Sequence, residues 1–152
     1  MIKFKIIKGE DGYLAGKEFR HNILCGEMGF SDEYETCDND AFHIVGREEG
    51  IVMCYARLHK IGDYVFCIDK MAVRKEDRKQ YVGDTMLIAV EVKDVSELVS
   101  IILTNVPENA WEFFSCEDYI QIDDIYEDNG IRYKKMKRDL TKVRGCRGGH
   151  CK

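Results

Sequence analysis

Residues 64–94 constrain this chain more than any other stretch. Tyr64 to Val73 reads Tyr-Val-Phe-Cys-Ile-Asp-Lys-Met-Ala-Val, apolar on both faces until Asp69 and Lys70. A run of that kind predicts a strand in the middle of a sheet that is covered on both sides. A basic turn from Arg74 to Gly83 follows. A helix then opens at Asp84-Thr85 and carries Met86, Leu87, Val90 and Val92 toward a core. The first N–H groups of a helix have no partner within it, so a basic loop feeding a helix start is a natural seat for an anion.

The remaining segments fit around this unit. Residues 2–8 alternate Ile2, Phe4 and Ile6 against Lys3 and Lys5, the pattern of a half-buried strand. Leu14, Phe19, Ile23 and Leu24 give a helical spacing over 13–28, closed by Gly26 and Gly29. After an acidic loop at 31–40, short strands are expected at 41–46 and 51–59, leading into 64–73 as an antiparallel meander. Residues 98–103 form another apolar strand, parallel to 64–73 because a helix separates them. Thr104 to Pro107 is expected to open a second late helix carrying Ala110, Trp111, Phe113 and Phe114. Two closing strands, 119–126 and 131–138, flank Asp128-Asn129-Gly130, a strong hairpin signal. Residues 1–140 thus read as one domain, and 141–152 as a basic tail.

Composition narrows the function classes. The formal net charge of −5 argues against a nucleic-acid partner, which would favour a basic face. No apolar run approaches the roughly 20 residues of a membrane span, so no membrane partner is expected. Met1 to Lys5 lacks a signal peptide's apolar region. The seven cysteines have no regular spacing, and Cys54 and Cys67 lie inside apolar runs. Reduced thiols in a cytoplasmic protein fit this better than a disulfide framework. The tail Cys146-Arg-Gly-Gly-His150-Cys151 offers three ligands at a spacing unlike a closed zinc site, so no metal is expected there.

Val73, then Arg78-Lys-Gln-Tyr-Val-Gly83-Asp-Thr-Met-Leu87, resembles motif A of the GNAT acyltransferases. Lys79 and Tyr81 depart from that motif at positions where glycine is usual. Asn109-Ala-Trp-Glu-Phe113-Phe114 resembles the family's Asn-Ala…Phe-Tyr segment, and Gly130 to Leu140 resembles its closing strand. Arg20, Glu27-Met-Gly, Glu35, Asp38, Asp40, His43 and Ala56-Arg57-Leu58 are similar to a branch of small bacterial acyltransferases. The resemblance spans roughly residues 2–140. It implies an α/β GNAT fold: a mixed, mostly antiparallel sheet of about seven strands with helices on both faces and a seam where central strands diverge.

The resemblance also implies a chemistry, the transfer of an acetyl group from acetyl-CoA to the amine of a small acceptor. The acidic segments 32–40 and 117–128 would favour a cationic acceptor. Met71, Ala72 and Val73 would meet the pantetheine arm and the carbonyl. Arg78, Lys79, Gln80, Tyr81, Val82, Gly83 and Asp84 would meet the pyrophosphate, and Asn105, Asn109, Phe113 and Phe114 would line the cofactor. Glu27 is the candidate for contacting the acceptor, though a charge at a helix end is the plainer role. Asp69 or Lys70 would orient the acceptor, or form a charge pair at the seam. Where the family uses a tyrosine to protonate the departing thiolate, this chain has Phe114. Tyr133 and Tyr119 are the nearby hydroxyls by topology, each otherwise a packed aromatic. His43 reads as a satisfied core histidine, and Arg57 as the structural partner of the 32–40 loop. The alternative is a GNAT-fold protein that binds coenzyme A or another ligand as a sensor or interaction module. Dimers are common in the family, but no interface is legible in the sequence.

Overall fold

In the computed structural model, residues 1–77 and 99–142 are described. The helix expected at 84–94, the motif A residues Arg78 to Asp84 and the tail cysteines lie outside them. The alternating N-terminus forms β1 (Lys3–Lys8), which turns at Gly9 into α1 (Glu10–His21). Glu10 and Asp11 sit in the first turn and Arg20 and His21 in the last, each complementing the helix dipole. The helix runs on as a π-helical turn at Asn22–Glu27, and a 3-10 turn at Thr36–Asn39 follows in the acidic segment.

Then come β2 (Phe42–Glu48), β3 (Ile51–Gly62) and β4 (Val65–Val73), an antiparallel meander that pairs β1 with β2, β2 with β3 and β3 with β4. β5 (Ile101–Pro107) lies parallel to β4, and β8 (Ile131–Asp139) antiparallel to β5. Two short strands, β6 (Ile120–Gln121) and β7 (Tyr126–Asp128), pair with β8. Asn129 and Gly130 join β7 to β8 with φ of 52° and 79°. Two consecutive positive φ values make the type I′ turn that Asn-Gly favours.

Two expectations need correcting. Thr104 to Pro107 do not open a helix. They complete β5, because their backbones ladder onto Tyr133 to Met136 of β8. The chain leaves the strand at Pro107, makes a 3-10 turn at Glu108–Ala110 and enters the short α2 (Trp111–Cys116). The single strand expected over 119–126 is instead β6 and β7, interrupted where Asp123 and Asp124 disfavour a ladder. Among the described residues the mixed sheet therefore has eight strands where about seven were expected. Among the cysteines, Cys25, Cys37, Cys54 and Cys67 are free, but Cys116 is disulfide-bonded, so wholly reduced thiols is not the case at that position.

Strand pairing sorts the side chains onto two unlike faces. Ile44, Ala56, Leu58, Phe66, Ile68, Ile102, Val106 and Met136 share one face with Phe114 and Tyr119 above them, and this is the apolar core. The other face carries His43, Tyr55, Arg57, His59, Cys67 and Asp69, and α1 packs over its first half. Helices thus cover both faces.

The seat of α1 is tight. A Cβ at Gly12 would stand 2.3 Å from the Ile7 carbonyl oxygen and 2.6 Å from His43 Cδ2. Backbone cannot yield as a flexible side chain can. Gly12→Ala should therefore lower stability by about 2 kcal/mol or more in a denaturant titration, as overpacking does elsewhere.

Candidate functional site

Two irregularities in β4 locate the site. Tyr55 pairs with Ala72 but Arg57 with Asp69, so β4 carries one residue more than β3 between them. Lys70 takes up the excess at a φ of 51°, a left-handed conformation unfavourable for a residue with a Cβ. On the opposite edge, β4 pairs with β5 only through Val65–Ile101, Phe66–Ile102 and Cys67–Leu103. From Ile68 onward no β5 residue lies opposite β4, although both strands continue. The central strands diverge where one of them bulges. Strain of this kind is held at functional sites when surrounding contacts enforce it.

The contacts that enforce it are ionic and buried. The Arg20 guanidinium donates from Nε to Asp32 Oδ1 at 2.9 Å and from Nη1 to Asp38 Oδ1 at 2.8 Å. It also reaches the Tyr55 hydroxyl, the Glu33 carbonyl and Asp38 Oδ2, which spends all five of its N–H groups. Asp38, fully buried, also accepts from Arg57 Nη1 at 3.2 Å and from the Glu35 backbone N–H at 2.8 Å. Arg57 grips Asp69 in a fork, Nε to Oδ1 at 2.8 Å and Nη2 to Oδ2 at 2.7 Å. The Lys70 ammonium, presented by the bulge, lies 3.3 Å from Asp32 and 3.7 Å from Glu35. Among the described residues, three cations (Arg20, Arg57 and Lys70) face four carboxylates (Asp32, Glu35, Asp38 and Asp69), one negative charge in excess.

This network settles several residues. Arg57 does pair with the 32–40 segment, through Asp38 and Glu35, but it also reaches the strand beside it. His43 is the satisfied core histidine expected: its Nε2–H donates to the Asp38 carbonyl at 3.0 Å and its Nδ1 accepts from the Tyr55 hydroxyl at 2.6 Å, the tautomer this network requires. Burial depresses its pKa. For Asp69, burial works to raise the pKa, but hydrogen bonds from His59 and Arg57 outweigh it and hold the carboxyl below its usual range.

The other sequence-predicted residues are distributed around this core. Met71, Ala72 and Val73 follow the bulge directly. Asn105 is exposed on β5, and the β5–β8 register places it on the same sheet face as Cys67, Tyr133 and Lys135. The Tyr133 ring stacks on Tyr126, with centroids 5.4 Å apart. Glu27 ends the π-helical turn and is exposed. Asn109 is exposed in the 3-10 turn before α2. Phe113 and Phe114 pack edge to face, and Phe114 does the same with Tyr119, on the apolar face. The bulge therefore gathers Asp69, Lys70, Met71, Ala72 and Val73, whereas Phe113 and Phe114 belong to the other side of the sheet. His59 and Cys67 were not candidate site residues in the sequence: a two-residue Gly62-Asp63 turn would set His59 against Phe66, and only the register shift between Lys60 and Gly62, with the turn at Asp63-Tyr64, sets it against Cys67.

Asp38 gives an acid-stability prediction. Burial would raise its pKa, but the Arg20 hydrogen bond and the Glu35 backbone N–H prevail, so it falls from 3.8 to about 2. A depressed carboxylate stabilises the fold fully above the unfolded value, and the contribution is lost as pH falls through the folded value. About 2 kcal/mol should disappear between roughly pH 4 and pH 2. Asp38→Asn should remove this dependence and cost about 3–5 kcal/mol at neutral pH, because two arginines lose their shared anion. Urea titrations of both proteins across that pH range are the check.

No family model matches the sequence. Solved structures do match its fold. A protein from Lactobacillus plantarum assigned as an N-acetyltransferase superposes at a TM-score of 0.80 with 19% identity, over 91% of this chain and 98% of its own. A GNAT-family acetyltransferase from Staphylococcus aureus MU50 does so at 0.68 with 15% identity, over 91% and 99%. The CoA-dependent acyl-homoserine lactone synthase BjaI, solved with SAM and isopentyl-CoA, reaches 0.79 with 11% identity, over 92% and 84%. What these proteins share with this chain is the overall fold, and by that architecture the chain has the GNAT fold.

Proposed function

We propose that the chain is an N-acetyltransferase that moves an acetyl group from acetyl-CoA to the amine of a small cationic acceptor. The observation that carries this reading is the divergence of β4 from β5 beside the bulge at Lys70. It opens a slot in the sheet with main chain along its side, the kind of place where an extended pantetheine arm can run as a third strand. Neighbours of the same fold that are named as acetyltransferases and as a CoA-dependent synthase support the co-substrate.

In this reading Met71, Ala72 and Val73 hold the arm and orient the thioester carbonyl. The motif A residues Arg78 to Asp84, outside the described residues, would take the pyrophosphate. The acceptor lies on the polar face. Its neutral amine nitrogen attacks the carbonyl carbon, the C–S bond breaks, and the proton that the nitrogen sheds as the amide forms balances the one taken up by the departing coenzyme A thiolate. Holding both reactants in line supplies a large share of the rate. Asp69 is a poor base, since Arg57 and His59 lower its proton affinity, and serves as a fixed anion. With the excess negative charge of the cluster it favours a cation. Glu27 contacts the acceptor from the end of the π-helical turn, and Tyr133 is the hydroxyl nearest in topology for the leaving thiolate.

One observation favours a second reading. Phe114 stands where the family's acid tyrosine is expected and is buried against Tyr119. A protein that binds coenzyme A without efficient transfer would tolerate this.

Calorimetric titration with acetyl-CoA and with free coenzyme A tests the shared premise. Micromolar binding is expected, and Gly83→Glu should abolish it by bringing bulk and negative charge into the motif A segment expected to take the pyrophosphate. No binding of either compound overturns both readings. Product formation against a panel of amines then separates them. Under the transferase reading, Asp69→Asn should raise KM for dicationic acceptors about 10-fold or more and leave acetyl-CoA affinity unchanged, a split that general unfolding would not produce.

A further inference from the structure

We infer that His59, Cys67 and Asp69 form a binding site for a borderline-soft divalent cation of the zinc class, held by one imidazole nitrogen, one thiolate and one carboxylate oxygen. Their ligand atoms all lie within 4.8 Å of one another. The strand register is what brings them together. His59 of β3 is directly opposite Cys67 of β4, and Asp69 follows Cys67 by two, on the same sheet face. Ligands fixed by a β ladder share one geometry without loop ordering, so little entropy is lost when an ion arrives.

The donor set is specific. Sulfur and imidazole together select against calcium and magnesium, which take oxygen ligands, and for zinc or cobalt. Three protein ligands leave the fourth position of a tetrahedral ion to water, the pattern of an open site. The side chains of His59 and Asp69 are 18% and 32% exposed, so the site is half-buried and open to an entering ion.

Its protons and outer contacts fit the same reading. His59 Nε2 lies 3.2 Å from Asp69 Oδ2, where a proton now bridges them. An ion would take that proton's place, with the imidazole proton moving to Nδ1. Cys67 would hold the ion as a thiolate, having given up its thiol proton. Metal binding must release that proton, as it does whenever a thiol becomes a ligand. The fork from Arg57 to both Asp69 oxygens fixes the carboxylate from behind, which is how ligating carboxylates are usually oriented. This inference does not rest on acyl transfer, and the site can be tested without acyl-CoA.

The test is a cobalt(II) titration of the full chain under reducing conditions, followed by zinc competition, in the unaltered protein, Cys67→Ser and His59→Gln. The tail thiols are kept in all three, so that any cobalt they bind cancels in the comparison. The unaltered protein should show a thiolate-to-cobalt charge-transfer band and tetrahedral d–d bands, both removed by zinc. Cys67→Ser should lose the component due to its sulfur, and each variant should weaken zinc by more than the roughly 10–100-fold that losing an outer-shell partner costs. Zinc should raise the melting temperature of the unaltered protein and not of Cys67→Ser. The two variants replace half-buried side chains by others of similar size, and circular dichroism would confirm that they fold. Cobalt spectra identical in all three proteins, or no saturable cobalt or zinc binding, would overturn the inference.

Discussion

The Asp38 carboxylate holds together parts of the chain that have no other strong reason to meet. It comes from a 3-10 turn in an otherwise irregular acidic segment, and it accepts from Arg20 on α1, Arg57 on β3 and the backbone of its own turn. Two arginines and a carboxylate removed from water are costly unless nearly every donor and acceptor is used. Here all five Arg20 donors are spent, and Asp38 receives four N–H groups on two oxygens. The arrangement tolerates little variation, so it fixes the path of residues 32–40 across the sheet. Packing alone would leave that path underdetermined, since the segment has few apolar side chains to bury.

The same network reaches the bulge. Arg57 passes the tie from Asp38 to Asp69, and Lys70, one residue on, extends to Asp32 and Glu35. A left-handed lysine in a central strand is unfavourable by itself. It persists because carboxylates of the loop above hold its ammonium and Arg57 of β3 holds the carboxylate of its neighbour Asp69. The bulge in turn marks where β4 and β5 part. A buried ionic cluster, a strained backbone and an opened sheet are therefore one mechanical unit, and the reading of the opening as a cofactor slot depends on all three.

The two sheet faces divide the labour. One is an apolar core closed by α2, with Phe114 and Tyr119 edge to face above Ile102 and Met136. The other carries the buried ionic cluster of Arg20, Asp32, Asp38 and Arg57. Phe114 shows why a family pattern has to be weighed against packing, since the same position can carry a hydroxyl for chemistry or a ring for the core.

Much of this was legible in the sequence because it is local. The alternation of residues 2–8, the two-sided apolar run from Tyr64 to Ile68 and the Asn129-Gly130 turn each specify their backbone through side-chain period or allowed φ. The resemblance of Asn109 to Phe114 and of the closing strand pointed to the same fold. The end of β5 was misread because Pro107 suits a helix's first turn as well as a strand's last residue, and only the ladder to β8 decides between them. The sequence by itself thus determined the order of most of the described elements and the Asn129-Gly130 hairpin. Tertiary structure alone decided that Asp38 would sit between two arginines, that Lys70 would bulge, and that His59 would face Cys67. Those facts depend on strand register and on which charges can satisfy one another once water is excluded, and neither is encoded within any single stretch of the chain.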